Sequence, residues 1–80
     1  MVAGVTFNIQ YDESYTERYK ALDKALERFK PFEKRTSSCV FLDTDDLDAV
    51  HTALYGVLDY RKDKAIVFTT YRHLMKPFGP

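Results

Sequence analysis

Cysteine is almost absent from this chain: Cys39 stands alone in an apolar run. A single thiol excludes an internal disulfide, a paired-thiol metal clip and a redox couple, leaving the role of a small buried hydrophobe. Long hydrophobic runs are missing as well. No stretch approaches the length of a membrane span, and the N-terminus lacks a basic region followed by an apolar one. A cytoplasmic protein with no membrane partner is the expectation. Net charge is zero, which removes the bulk attraction behind non-specific nucleic-acid binding. Glycine is scarce, and the loop after the first apolar stretch, Tyr11-Asp12-Glu13-Ser14, is acidic where a phosphate-cradling loop would need backbone amides.

What is present reads as one domain, residues 1–72, followed by a tail, residues 73–80. A chain this short buries only roughly 60–65% of its unfolded surface, so self-association is a natural supplement to its stability. Six tyrosines and six phenylalanines carry much of the large apolar surface. Charge is unevenly spread. Residues 43–59 hold Asp43, Asp45, Asp46, Asp48 and Asp59 with no Lys or Arg, whereas residues 60–80 hold Arg61, Lys62, Lys64, Arg72 and Lys76 against Asp63. That asymmetry suits a phosphate backbone or a head-to-tail protein contact, and equally two solvated ends of one domain.

Periodicity predicts the elements. Val5–Tyr11 alternates strictly, as a strand does, with Val5, Phe7, Ile9 and Tyr11 on one face and Thr6, Asn8, Gln10 and then Asp12 on the other. Tyr15, Tyr19, Leu22, Leu26 and Phe29 recur at helical spacing, and Ser14 with Glu17 forms a capping-box signature. Pro31 stops that helix. Phe32–Arg35 alternates like an edge strand, and Ser38–Leu42 is apolar on both faces like a central one, with Thr36–Ser37 as the connection. A second helix runs from about Asp45 to Leu58, its first turn crowded with carboxylates that complement the helix dipole. The Asp43-Thr44-Asp45-Asp46 run lacks the central glycine and the bidentate Glu of a calcium loop. Ala65–Tyr71 is a last strand, and the tail is expected to add a short fifth strand or to stay loose.

This order, βαββαβ, is the ferredoxin-like α+β arrangement, with two helices on one face of a four-stranded antiparallel sheet. Candidates such as Val40 or Phe41, Leu42 and Val67 then fall on the uncovered face, and such a face on so small a domain calls for a partner. The fold alone assigns no function. An RNA-recognition module is a poor fit, because Arg35-Thr36-Ser37-Ser38-Cys39-Val40-Phe41 lacks the motif's glycine and the first strand offers Asn8 and Gln10 in place of an aromatic. A metallochaperone needs paired thiols, and an ACT-type sensor needs a glycine-rich effector loop.

The first strand ending in Tyr11-Asp12, Arg18 early in the first helix, the apolar run Ser38-Cys39-Val40-Phe41, and a last strand after a Lys62-Asp63 turn together resemble the small subunit of the CRISPR spacer-acquisition complex. The wider superfamily, including VapD-type ribonucleases and small SinR-like proteins, is similar across most of residues 5–72. The SinR-like branch is nearest, being short, with Tyr-Asp after the first strand and an acidic start to the second helix. The half-apolar open face and the small core predict a homodimer with Asn8, Gln10 and Asp12 at or beside the interface, and the resemblance places the Asp that closes the first strand near a dimer two-fold. In nucleolytic members it implies a catalytic role for Asp12, shared across a two-fold, in binding Mg2+ or Mn2+, a hard cation that activates water against a phosphodiester. Glu13 is either a second ligand or solvated.

The candidate contacts to RNA or DNA are Arg18, Lys34, Arg35, Arg72 and His73. His51, between Val50 and Leu54, reads as boundary packing. The leading expectation is a dimeric nucleic-acid-associated protein, with metal-dependent endonuclease activity as its catalytic form. Its rival is a non-catalytic protein-interaction module, such as a phage or mobile-element inhibitor or an antitoxin-like partner, which the balanced charge favours.

Overall fold

The computed structural model of the chain describes residues 1–36 and 38–79, with backbone only at 35 and 36. Its elements are β1 (Val2–Asn8), α1 (Tyr15–Glu27), β2 (Pro31–Thr36), β3 (Cys39–Leu42), α2 (Leu47–Tyr55) and β4 (Lys64–Thr70). The strands form one antiparallel sheet in the order β2-β3-β1-β4, the ferredoxin-like arrangement, with both helices on one face. Ser37, in the expected β2–β3 connection, lies outside the described residues.

Ala3, Val5 and Phe7 of β1, with Ile9 just beyond it, pack with Leu22, Leu26 and Phe29 from α1 and its end, Val40 and Leu42 from β3, and Val50 and Leu54 from α2. Leu22, Val5, Leu42 and Val50 are fully buried. Each such side chain contributes roughly 1.5–3 kcal/mol by leaving water. The helical stripe expected from the sequence is therefore the core face of α1.

β1 lies three residues earlier than its alternation predicts. Val2 and Ala3 pair with Thr70 and Thr69, and the ladder ends where Asn8 meets Lys64. Beyond it, the Gln10 N–H turns to the Asp63 carboxylate, at 2.9 Å. Tyr11 therefore leaves the core row and stands 87% exposed beside Tyr15.

Asp12, in turn, belongs to the β1–α1 loop and not to the sheet. Ser14 caps nothing with its side chain; instead Asp12 accepts the Ser14 N–H at 2.9 Å. α2 is shorter than the expected Asp45–Leu58: it starts after Asp46, whose side chain caps it by accepting the Ala49 N–H at 3.0 Å, and it ends at Tyr55 before Gly56.

The register also corrects the open face. Val40 and Val67 lie opposite Val5, and Leu42 opposite Ala3, so all three belong to the helix side. Phe41 and Phe68 flank Gly4, and Cys39 and Ile66 flank Thr6, on the uncovered side. Cys39 is accordingly half-buried there, not a core thiol, and desolvation pushes its pKa up. β4 is an edge strand despite being apolar on both faces, and Ile66 is 65% exposed. After it, Arg72–Leu74 forms a 3-10 turn where a fifth strand was one expectation.

Candidate functional site

Where β1 meets α1 and the α2–β4 turn, one guanidinium organises the chain. The first turn of α1 aims Arg18 back across the loop. Its Nε donates to Asp63 Oδ2 at 2.9 Å, and Nη2 donates to Asp63 Oδ1 at 3.3 Å and to the Gln10 carbonyl at 2.9 Å. Nη1 donates to Asp12 Oδ1 at 3.0 Å and to Ser14 Oγ. Lys62 reaches the other Asp12 oxygen at 2.6 Å. The Asp63 side chain is fully buried and also accepts the Asp59 N–H at 2.9 Å. A buried carboxylate is tolerable only when satisfied in this way.

These contacts set the titration of both acids. Lys62, then Arg18, holds the Asp12 carboxyl well below the usual carboxylate range, against a smaller opposing effect of burial. Burial pushes Asp63 up, but the Asp59 and Gln10 amides and the Arg18 guanidinium together bring it below its ordinary value. The Asp12 contact, working against desolvation, raises the Arg18 pKa further.

A depressed carboxylate stabilises the fold fully above its unfolded pKa of about 3.9 and stops doing so as pH falls through the lower folded value. The urea midpoint is therefore expected to fall steeply below about pH 4. Asp63→Asn should flatten that fall, and an identical pH profile in the variant would contradict the role given to Asp63.

This arrangement does not fit a divalent cation within one chain. Both Asp12 oxygens are engaged by cations, and among the described residues no group of three His, Cys, Asp or Glu side chains could hold a metal ion.

The candidate nucleic-acid contacts do not converge. Arg18 is directed inward, its side chain 11% exposed. Lys34 pairs with Asp23 at 3.2 Å and lies over the Tyr19 ring. Arg35 is on β2, its side chain outside the description. Arg72 sits 3.9 Å over the Phe32 ring and 3.2 Å from Asp43, and His73 is exposed against Tyr71. Asn8 and Gln10 are exposed at one end of the sheet. β1 is central, so they can meet a partner only over the open face or its end. His51 is exposed beside Tyr55.

Two features escaped the sequence. Asp63 is joined to Gln10 and Arg18 across 53 and 45 residues, a link no local pattern carries. Phe41 was a candidate for the open face, but its companions there, Phe32 and Phe68, depend on the register of β2 and β4, which no local pattern carries. A groove of about 390 Å³ occupies the other end of that face, lined by residues including Thr6, Asn8, Cys39, Lys64 and Ile66.

A four-stranded 2-3-1-4 sheet with helices on one side, closed at the β1–α1 corner by an Arg-Asp network, defines a small ferredoxin-like protein with an uncovered sheet face. No family model matches the chain. No curated protein matches its sequence. In structure it is similar to Cas2 of Streptococcus pyogenes, with a TM-score of 0.77 and 12% identity over 99% of this chain and 100% of that one. The fold is thus Cas2-like from end to end. Among the described residues no helix is long and apolar enough to cross a membrane.

Proposed function

We propose that the chain is a homodimeric, nucleic-acid-associated protein of the Cas2-like fold that does not use Asp12 as a catalytic metal ligand. The observation that carries this reading is the open sheet face: Phe32, Phe41, Phe68 and Ile66 lie on it together, and the fold that displays them is shared over its full length with Cas2. An apolar face of this kind on a small domain is a site of association. The dimer contact is assigned to the end bearing Asn8, Thr6, Cys39 and Ile66, with Gln10 and Asp12 beside it. Asp12 acts there as an ion-paired corner residue, which supports the non-catalytic form.

Light scattering tests the assembly. Twice the 9.3 kDa chain mass is expected at micromolar concentration, and Ile66→Asp should give a monomer, because a charge cannot be buried unpaired in an apolar contact. A stable monomer at high micromolar concentration would remove the dimer. Cleavage tests the chemistry. Neither RNA nor DNA should be cut with magnesium or manganese; cutting that Asp12→Asn abolishes, with the dimer intact, would restore the nuclease reading. The second reading, a protein-interaction module, is favoured by zero net charge, and it leads if no polynucleotide binds.

A further inference from the structure

No helix covers the open face, but at the end away from Asn8 the chain's own tail lies along it. β4 and β2 are the two edges of the sheet, three strand spacings or about 14 Å apart. Arg72 comes two residues after β4, yet its guanidinium sits 3.9 Å over the ring of Phe32 on β2 and 3.2 Å from Asp43, the residue after β3. The start of the tail is thus tied to the opposite edge. The Arg72–Leu74 turn gives it that path, the Leu74 N–H donating to the Tyr71 carbonyl and the Met75 N–H to the Arg72 carbonyl. Leu74, Met75 and Pro77 then share one groove of about 520 Å³ with Phe32, Phe41 and Phe68. Phe41 and Phe68 meet edge to face there, 6.0 Å apart. Gly4 lies between them in register, and a Cβ on it would stand 2.4 Å from the Phe68 ring, so only glycine lets that ring lie low across β1.

The tail is held by this latch and not by burial. Leu74 is 60% exposed and Phe78 99% exposed, so its apolar side chains do not fill the groove. The Arg72–Asp43 pair joins two side chains more than half exposed, where water screens an ion pair. An exposed pair and one cation–π stack together hold an equilibrium only about tenfold to one side. Such a latch opens readily. The face beside it is the one that carries self-association, and a second copy spread over the whole of that face would have to displace the tail.

We propose that residues 72–77 form an autoinhibitory strap, which guards the aromatic end of the sheet and confines association to the end bearing Asn8, Thr6, Cys39 and Ile66. The proposal rests on the self-association reading above and adds its regulation. Closed, the strap occupies Phe32 with Arg72 and stands between a partner and the Phe41 and Phe68 rings. Open, it yields all three rings to a second copy, so the fraction of chains with an open strap limits the apparent dimer affinity.

Sedimentation equilibrium of the full chain, with backbone heteronuclear NOEs at Leu74 and Met75 to report the tail's mobility, tests the strap. Arg72→Gln removes both contacts of the latch, and Asp43→Asn weakens the ion pair alone. Both side chains are exposed enough for the fold to survive the change.

Arg72→Gln is expected to free the tail and to lower the dimer dissociation constant about tenfold. Asp43→Asn should move both readouts the same way by less. A dimer that weakens in either variant would overturn the strap, because the tail would then be part of the contact. A tail that loosens while the dissociation constant stays put would overturn it as well, since the contact would lie clear of the tail, as would a tail equally mobile in all three proteins. If wild type and both variants are monomers at high micromolar concentration, the self-association reading falls and the strap falls with it.

Discussion

Replacing Asp63 by Ala is expected to lower the unfolding free energy by roughly 3–5 kcal/mol, the cost of removing one partner of a buried pair. The variant leaves the Gln10 and Asp59 amides without their acceptor and Arg18 Nε without its carboxylate. Each orphaned buried donor costs about 1–3 kcal/mol. A small domain has only about 5–15 kcal/mol in total, so urea unfolding should show either a large shift in midpoint or a chain already unfolded. Asp63→Asn, which keeps an acceptor in place, should lose less. If Asp63→Ala lost under about 1 kcal/mol, solvent would have to be reaching the corner and the network would be ornamental.

Leu26→Ala carries the second large effect. Leu26 is 2% exposed and belongs to the core cluster that α1 forms with β1, β3 and α2, and truncation removes transfer free energy and leaves a cavity. The loss expected is roughly 2–4 kcal/mol in chemical denaturation. Surface substitutions stay within about half a kcal/mol, so a change that small would place Leu26 off the core face of α1.

Both positions bear on what a single sequence can disclose. Leu26 was legible, because its helical spacing with Tyr15, Tyr19, Leu22 and Phe29 is a local signal that burial obeys. The element order was legible for the same reason, as were the two-sided apolarity of β3 and the carboxylates at the start of α2, though not which of them caps it. The bounds of β1 were not. Alternation continues through Tyr11, but where a strand ends depends on its partners, and Asp63 takes the Gln10 amide out of the ladder. Asp12 looked like a free strand-end carboxylate for that reason; in the fold, Arg18 and Lys62 occupy both of its oxygens. Of the open-face candidates, Val40 or Phe41, Leu42 and Val67, the register bears out Phe41 alone, because which side of a strand faces out depends on pairing and not on residue type; Phe68 carries no local signal of its place there. Nothing local marks Gly4 as the place where the Phe68 ring lies across β1.

The decisive measurement for a nucleic-acid-associated protein of balanced charge is equilibrium binding of the wild-type chain to labelled RNA and DNA, single- and double-stranded, across a salt titration beginning at low ionic strength. Saturable binding that weakens as salt rises is expected, because phosphate contacts release counterions. No binding to any of the four at the lowest salt would contradict nucleic-acid association and leave the protein-interaction module in its place.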